Sequence, residues 1–225
     1  MRIVRLLTLG FCTLLPGVLQ AQTVPSPFRF LETSHAPGIF GGYLTTSAGD
    51  LDLGPRSAPI FGARYTLHLT GPLSAEANLG FSPSERTIYA RSASGGQDQL
   101  VSLGDKNSLL GILDVTLKFH VTGQRAWHGL APYGVFGAGV VAELSGSDAR
   151  EAALPGEQQF DFGPAFAATA GLGVDFFLTE RLSVRLEGRD YLWRFSYPAG
   201  LTDTGEQTND WVNNVAVTFG GALHF

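Results

Sequence analysis

Between Leu109 and Val121 the chain changes character at every step. The odd positions are Leu109, Gly111, Leu113, Val115, Leu117, Phe119 and Val121, and the even ones include Asp114, Thr116, Lys118 and His120. Successive side chains of a strand point to opposite faces, so this segment reads as a strand with one greasy face and one charged face. Arg181–Arg189 sets Leu182, Val184, Leu186 and Gly188 against Arg181, Ser183, Arg185, Glu187 and Arg189. Leu172–Leu178 sets Leu172, Val174, Phe176 and Leu178 against Gly173, Asp175 and Phe177. The final segment carries Val215, Val217, Phe219, Gly221, Leu223 and Phe225 on one face. A secreted soluble β-protein tolerates charge on both faces, whereas this chain keeps one face greasy.

Eight segments read as strands: Ile39–Thr46, Ile60–Thr70, Ser74–Tyr89, Ser108–Thr122, Leu130–Leu144, Phe162–Leu178, Arg181–Tyr197 and Trp211–Phe225. Their connections alternate in length. Gly71–Leu73, Gly123–Gly129 and Thr179–Glu180 are short, while Ser47–Pro59, Ala90–Asn107, Ser145–Asp161 and Pro198–Asp210 are longer and polar. Short turns on one rim and long loops on the other are the pattern of a transmembrane barrel, with the long loops outside the cell. The 29 glycines suit curved strands and turns and count against long helices.

The N-terminus reads as a secretory signal peptide over residues 1–21, with Arg2 and Arg5 before an apolar Leu6–Leu19 and cleavage after Ala21. That run falls short of the ~20 residues a spanning helix needs, and Pro16 and Gly17 interrupt it. Residues 22–37 read as a flexible lead-in, and 38–225 as the barrel. Cleavage removes the only cysteine, Cys12, so no thiolate remains for catalysis or metal binding. It also takes two arginines from a formal charge of −5, leaving −7. An acidic balance argues against nucleic acid. After the signal no stretch of 18 apolar residues exists, so a membrane-spanning form must be a closed barrel.

The strand phases place Arg64, Lys118, Arg185 and Arg189 inside with Glu76, Asp114, Asp175 and Glu187, four charges of each sign. Glu143 falls inside too, although Leu130–Leu144 is apolar on both faces and its phase is open. Eight strands leave a lumen that side chains fill, and charge there is tolerated when paired. The expectation is a plugged interior crossed by salt bridges; the alternative is an open lumen in which these charges select ions. The long loops hold eleven acids against Arg56, Arg91, Lys106 and Arg150, which places the whole −7 on the outer rim. Tyr89, Tyr191, Trp193, Phe195, Tyr197 and Trp211 lie near the long-loop ends, and Phe119, Trp127, Tyr133, Phe176 and Phe225 near the short turns, as two aromatic girdles. In the seventh strand the apolar phase is even up to Gly188 and odd at Tyr191, Trp193 and Phe195. Either a bulge near Gly188–Asp190 restores the phase, or these rings point inward.

The glycine-acid-aromatic segment Gly171–Leu178, the tight turn, the Arg/Glu-alternating Leu182–Tyr191 and the closing Phe225 together resemble the small outer-membrane β-barrels of the OmpA-transmembrane-domain and OmpX type. The resemblance covers the mature chain. It implies an all-β, eight-stranded antiparallel barrel in the cell outer membrane, a monomer in contact with outer-membrane lipid and lipopolysaccharide. It also implies recognition by the barrel assembly machinery through Phe219, Leu223 and Phe225. The family includes anchors, adhesins, lipid enzymes and narrow channels. Its implication here is a structural or surface-interaction role, with a narrow porin-like channel as the alternative. No residues match the family's lipid-modifying enzymes, and no enzyme, cofactor or metal is expected.

Two local motifs carry no such weight. Gly137–Ala142 matches the loose dinucleotide fingerprint but lacks a βαβ context. His68, His120 and His224 fall on the inner face near the short-turn rim, where they join a polar plug or form a proton or metal site. There is no G-x-S-x-G nucleophile elbow.

Overall fold

The structure, a computed structural model, describes residues 26–31, 34–94 and 97–225. The expected signal peptide lies outside them. Ten strands are described: β1 (Phe28–Phe30), β2 (His35–Thr45), β3 (Ala58–Thr70), β4 (Leu73–Ser94), β5 (Gln97–His120), β6 (Arg125–Trp127), β7 (Leu130–Glu143), β8 (Ala165–Phe177), β9 (Leu182–Tyr197) and β10 (Thr208–Leu223). A one-turn helix α1 (Ala149–Ala152) and 3-10 turns at Gly156–Gln158 and Ala199–Leu201 sit in the connections. Among the described residues no helix is long and apolar enough to cross a membrane.

The sheet runs β2-β3-β4-β5-β7-β8-β9-β10, every neighbour antiparallel, and β10 pairs back onto β2. The ring of eight is therefore closed, and closure removes the unpaired edges that hydrocarbon does not tolerate. At the seam Val215 pairs with Thr45 and Ala222 with Gly38. His35 and Phe225 complete it, exchanging backbone hydrogen bonds of 2.9 and 3.0 Å.

The alternation sorts the residues by face. Leu113, Val115, Phe119, Leu172, Leu186, Val217 and Phe219 are exposed on the outside, while Asp114, Lys118, Asp175, Arg185, Glu187 and Arg189 are buried inside. Glycines let the inner side chains fit. Tyr133 lies across Gly173, where a Cβ would stand 2.3 Å from the phenol oxygen.

Three details depart from the sequence expectations. Part of the expected lead-in is strand: β1 pairs with β6 at the short-turn rim, and β2 begins at His35. The connection expected at Ala90–Asn107 is instead a continuation of β4 and β5, paired from Ile88↔Gly104 out to Ser94↔Gln97. Beyond the greasy band neither face needs to be apolar, so hydrogen bonding persists where alternation fades. Finally, β9 has no bulge. Its register to β10 is continuous from Tyr197↔Thr208 to Leu182↔Leu223, and Tyr191, Trp193, Phe195 and Tyr197 all point inward. Those four rings, with the inward Tyr133, therefore leave the expected girdles; Trp211, Phe119, Trp127, Phe176 and Phe225 are exposed.

Candidate functional site: a layered lumen

The inside of the ring is stacked in layers along its axis. At the short-turn mouth a pocket of about 30 Å³ is lined by His68, His120, His224, Ser74 and Gln124. That is room for a water or two. Ser183 Oγ lies 2.7 Å from His224 Nε2, and Gln124 Nε2 lies 2.7 Å from His68 Nε2. Among the described residues no group of three or more His, Cys, Asp or Glu is placed to hold a metal ion.

Above this lies the charge layer, built by β3, β4, β5, β8 and β9. All eight residues expected in it are buried. Arg185 donates from Nη1 to Glu76 (2.5 Å) and from Nε to Asp175 (2.7 Å). Arg189 reaches Asp114 (2.8 Å), Glu76 (3.0 Å) and Glu187 (3.1 Å). Arg64 pairs with Glu187 at 3.3 Å, and Lys118 with Asp175 at 2.5 Å. The neutral groups complete the set. Tyr133 and Tyr191 donate their hydroxyls to Glu187 (2.8 Å) and Asp114 (3.2 Å), Thr66 donates to Glu76 (2.8 Å), and Asn78 donates to Asp114 (3.0 Å). Lys118 Nζ also sits 3.7 Å from the centre of the Tyr133 ring. Each carboxylate thus touches a cation and at least one further donor, which is the condition for tolerating charge in a low-dielectric interior.

The third layer is apolar. Phe40, Leu44, Ile60, Leu110, Ile112, Trp193 and Phe195 from the strands pack with Leu53, Phe160, Phe162 and Leu201 from the long connections. The rings interlock edge-on, with Phe162 5.0 Å and Phe160 6.1 Å from Phe195. Tyr197 reaches over this layer and accepts the N–H of Asp50 at 3.0 Å. Gly49 permits the approach, because at its φ of +76° a Cβ would strike the phenol oxygen.

A fourth layer at the long-loop end was not anticipated as a unit. Arg86 of β4 pairs with Glu143 (3.0 Å) and Glu151 (2.7 Å), and Lys106 of β5 with Glu143 (2.8 Å) and Glu151 (3.4 Å). Glu151 comes from α1, so this layer clamps a connection onto the wall. A polar cavity of about 330 Å³ lies beside it. Glu151 and Lys106 are therefore not part of the solvated rim. The signal for Arg86 and Lys106 was present in the sequence: each continues the inward phase, Arg86 after Asn78, Ser82 and Ser84, and Lys106 before Ser108 and Asp114. Glu151 had no such signal, because nothing in a loop's composition says that it folds inward.

The remaining rim cations are also paired, Arg56 with Asp105 (3.2 Å), Arg91 with Asp203 (2.8 Å) and Arg150 with Asp148 (3.0 Å). Arg150 donates side-chain and backbone hydrogen bonds to Asp148 and holds that carboxyl down at about 2. The three residues expected to signal assembly, Phe219, Leu223 and Phe225, face outward together at the seam.

A closed antiparallel ring, greasy outside and ion-paired inside, defines a small transmembrane β-barrel. The chain belongs to the outer membrane protein beta-barrel domain family, whose model matches residues 11–225. Its place is the cell outer membrane, with short turns in the periplasm and long loops outside. No curated protein matches it. Similar solved structures include OprG from Pseudomonas aeruginosa (15% identity, 87% of this chain and 98% of that one, TM-score 0.49). Neisserial surface protein A is similar at 12% identity over 89% and 98%, TM-score 0.49. Outer Membrane Protein W of E. coli is similar at 14% identity over 87% and 100%, TM-score 0.47.

Proposed function

We propose that this protein is a non-conducting barrel with a structural or surface-interaction role, anchoring an acidic rim at the cell surface. The observation that carries this is the sequence of layers: a balanced ion-pair layer and an interlocked aromatic layer lie one above the other across the lumen. An ion crossing would have to displace both charge pairs and packed rings. Outside, with the loop cations Arg56, Arg91 and Arg150 already paired, Asp50, Asp52, Glu157, Asp161, Glu206 and Asp210 supply excess negative charge for a partner or a bridging cation.

The narrow channel finds some support in the polar cavity beside Arg86 and Glu143, but that cavity sits above the aromatic layer. Catalysis is not part of the proposal. Ser183 and His224 are in hydrogen-bond contact, yet Nδ1 of His224 has no hydrogen-bond partner, so no acid orients the ring as a triad requires. Proteoliposome swelling tests the proposal: vesicles carrying the inserted protein should swell in small sugars and amino acids no faster than empty ones. Size-dependent swelling would replace it with the channel.

A further inference from the structure

The wall of the barrel splits on its outer-leaflet side. The ladder between β8 and β9 ends at Ala167↔Trp193. Beyond that point β9 stays with β10 as far as Tyr197↔Thr208, while the chain of β8 stays with β7 through Val141↔Ala165 and a 3.0 Å bond from Glu143 N–H to the Phe162 carbonyl. The two parting ladders leave an open cleft of about 580 Å³. It is blind, because Phe162 packs against Trp193 and Phe195 behind it at 6.3 and 5.0 Å. It is therefore a place to hold something rather than a way through.

Its lining is specific. Arg194 of β9 faces outward and is exposed, and the register puts it beside Trp211 of β10. Among the described residues of the long-loop half, Arg194 is the one cation with no ion pair or hydrogen bond; Arg56, Arg86, Arg91, Lys106 and Arg150 all have partners. Phe166 and Trp211 flank the cleft with exposed rings of 57% and 53%. Asn209 accepts a 2.7 Å hydrogen bond from Ser196, which leaves its amide N–H groups as donors, and exposed Asp161 adds an acceptor at the mouth. A lone cation, a flat indole and a carboxylate beside an amide are the groups that recognise a phosphate attached to a sugar.

We propose that this cleft binds a phosphorylated glycolipid of the outer leaflet, with Arg194 on the phosphate, Trp211 against the sugar, and Asn209 and Asp161 on its polar substituents. The test is native mass spectrometry of the refolded protein in detergent micelles, titrated with bisphosphorylated lipid A and with its phosphate-free counterpart. Lipid A should form a one-to-one adduct. Its affinity should fall about tenfold or more in Arg194→Gln, the loss expected for a charge-assisted hydrogen bond. Arg125→Gln, a cation at the opposite rim, should bind as wild type. Because Arg194 is exposed and makes no ion pair or hydrogen bond among the described residues, its variant should keep the heat-modifiable gel mobility of a folded barrel. Equal affinity of wild type and Arg194→Gln, or of the two lipids, would overturn the proposal. Displacement of lipid A by excess inorganic phosphate would overturn the choice of a lipid as ligand.

Discussion

Arg185 and Leu186 are chain neighbours that meet opposite environments, the first among Glu76 and Asp175 and the second facing lipid. Arg185→Leu leaves two buried carboxylates short of a cation, and breaking such a pair costs about 3–5 kcal/mol. Leu186→Arg puts a charge into hydrocarbon, at about 2–4 kcal/mol if the residue lies at the bilayer midplane. Leu186→Val should change little. Urea titrations in lipid vesicles read all three; a stabilising Arg185→Leu with a tolerated Leu186→Arg would reverse the assignment of faces. Outside the membrane, Asp148 titrates at about 2 because Arg150 holds its ionised form. A depressed value in the folded loop adds stability at pH above the ordinary 3.8, and that contribution is lost as pH falls from there through about 2. A carboxyl-carbon NMR titration should place the Asp148 midpoint near 2 and return it towards 3.8 in Arg150→Ala.

At the scale of elements, the pairing of β7 with β8 depends on a hole. Tyr133 fills the space over Gly173 and from there donates to Glu187. Gly173→Ala should push the ring off that bond and cost about 1–3 kcal/mol by overpacking, read as an earlier urea midpoint. An unchanged midpoint would mean that the ring is free to move. The same elements show what was legible in the chain. All eight ring strands could be read, because lipid on one side and paired charge on the other force a strict period of two on Leu109–Val121 and Leu182–Arg189. The extension of β4 and β5 could not, since Ser92, Gln99 and Ser102 stand beyond the apolar band, where water meets both faces. The inward turn of Trp193 and Phe195 was ambiguous for a related reason. An apolar side chain suits either the lipid or a packed lumen, so its phase tells less than that of Arg185 or Glu187. Glu151 was hidden altogether, because its place depends on a loop folding back onto Arg86 and Lys106.

The whole molecule is a short cylinder layered along its axis: ion pairs toward the periplasm, rings above them, and a loop clamped over the top, an order that supports the proposed closed lumen. The four cations and four acids of the lower ion-pair layer balance, as do Arg86 and Lys106 against Glu143 and Glu151 in the upper one, so the formal charge of the barrel resides outside the lumen, on the loops. The central claim is that the lumen is closed, and single-channel conductance of the refolded protein in a planar bilayer tests it most directly. A barrel shown to be inserted by its heat-modifiable mobility should remain silent across the accessible voltage range. Stable, reproducible, charge-selective steps would contradict it, and would recast Glu76, Asp114, Arg185 and Arg189 as a filter.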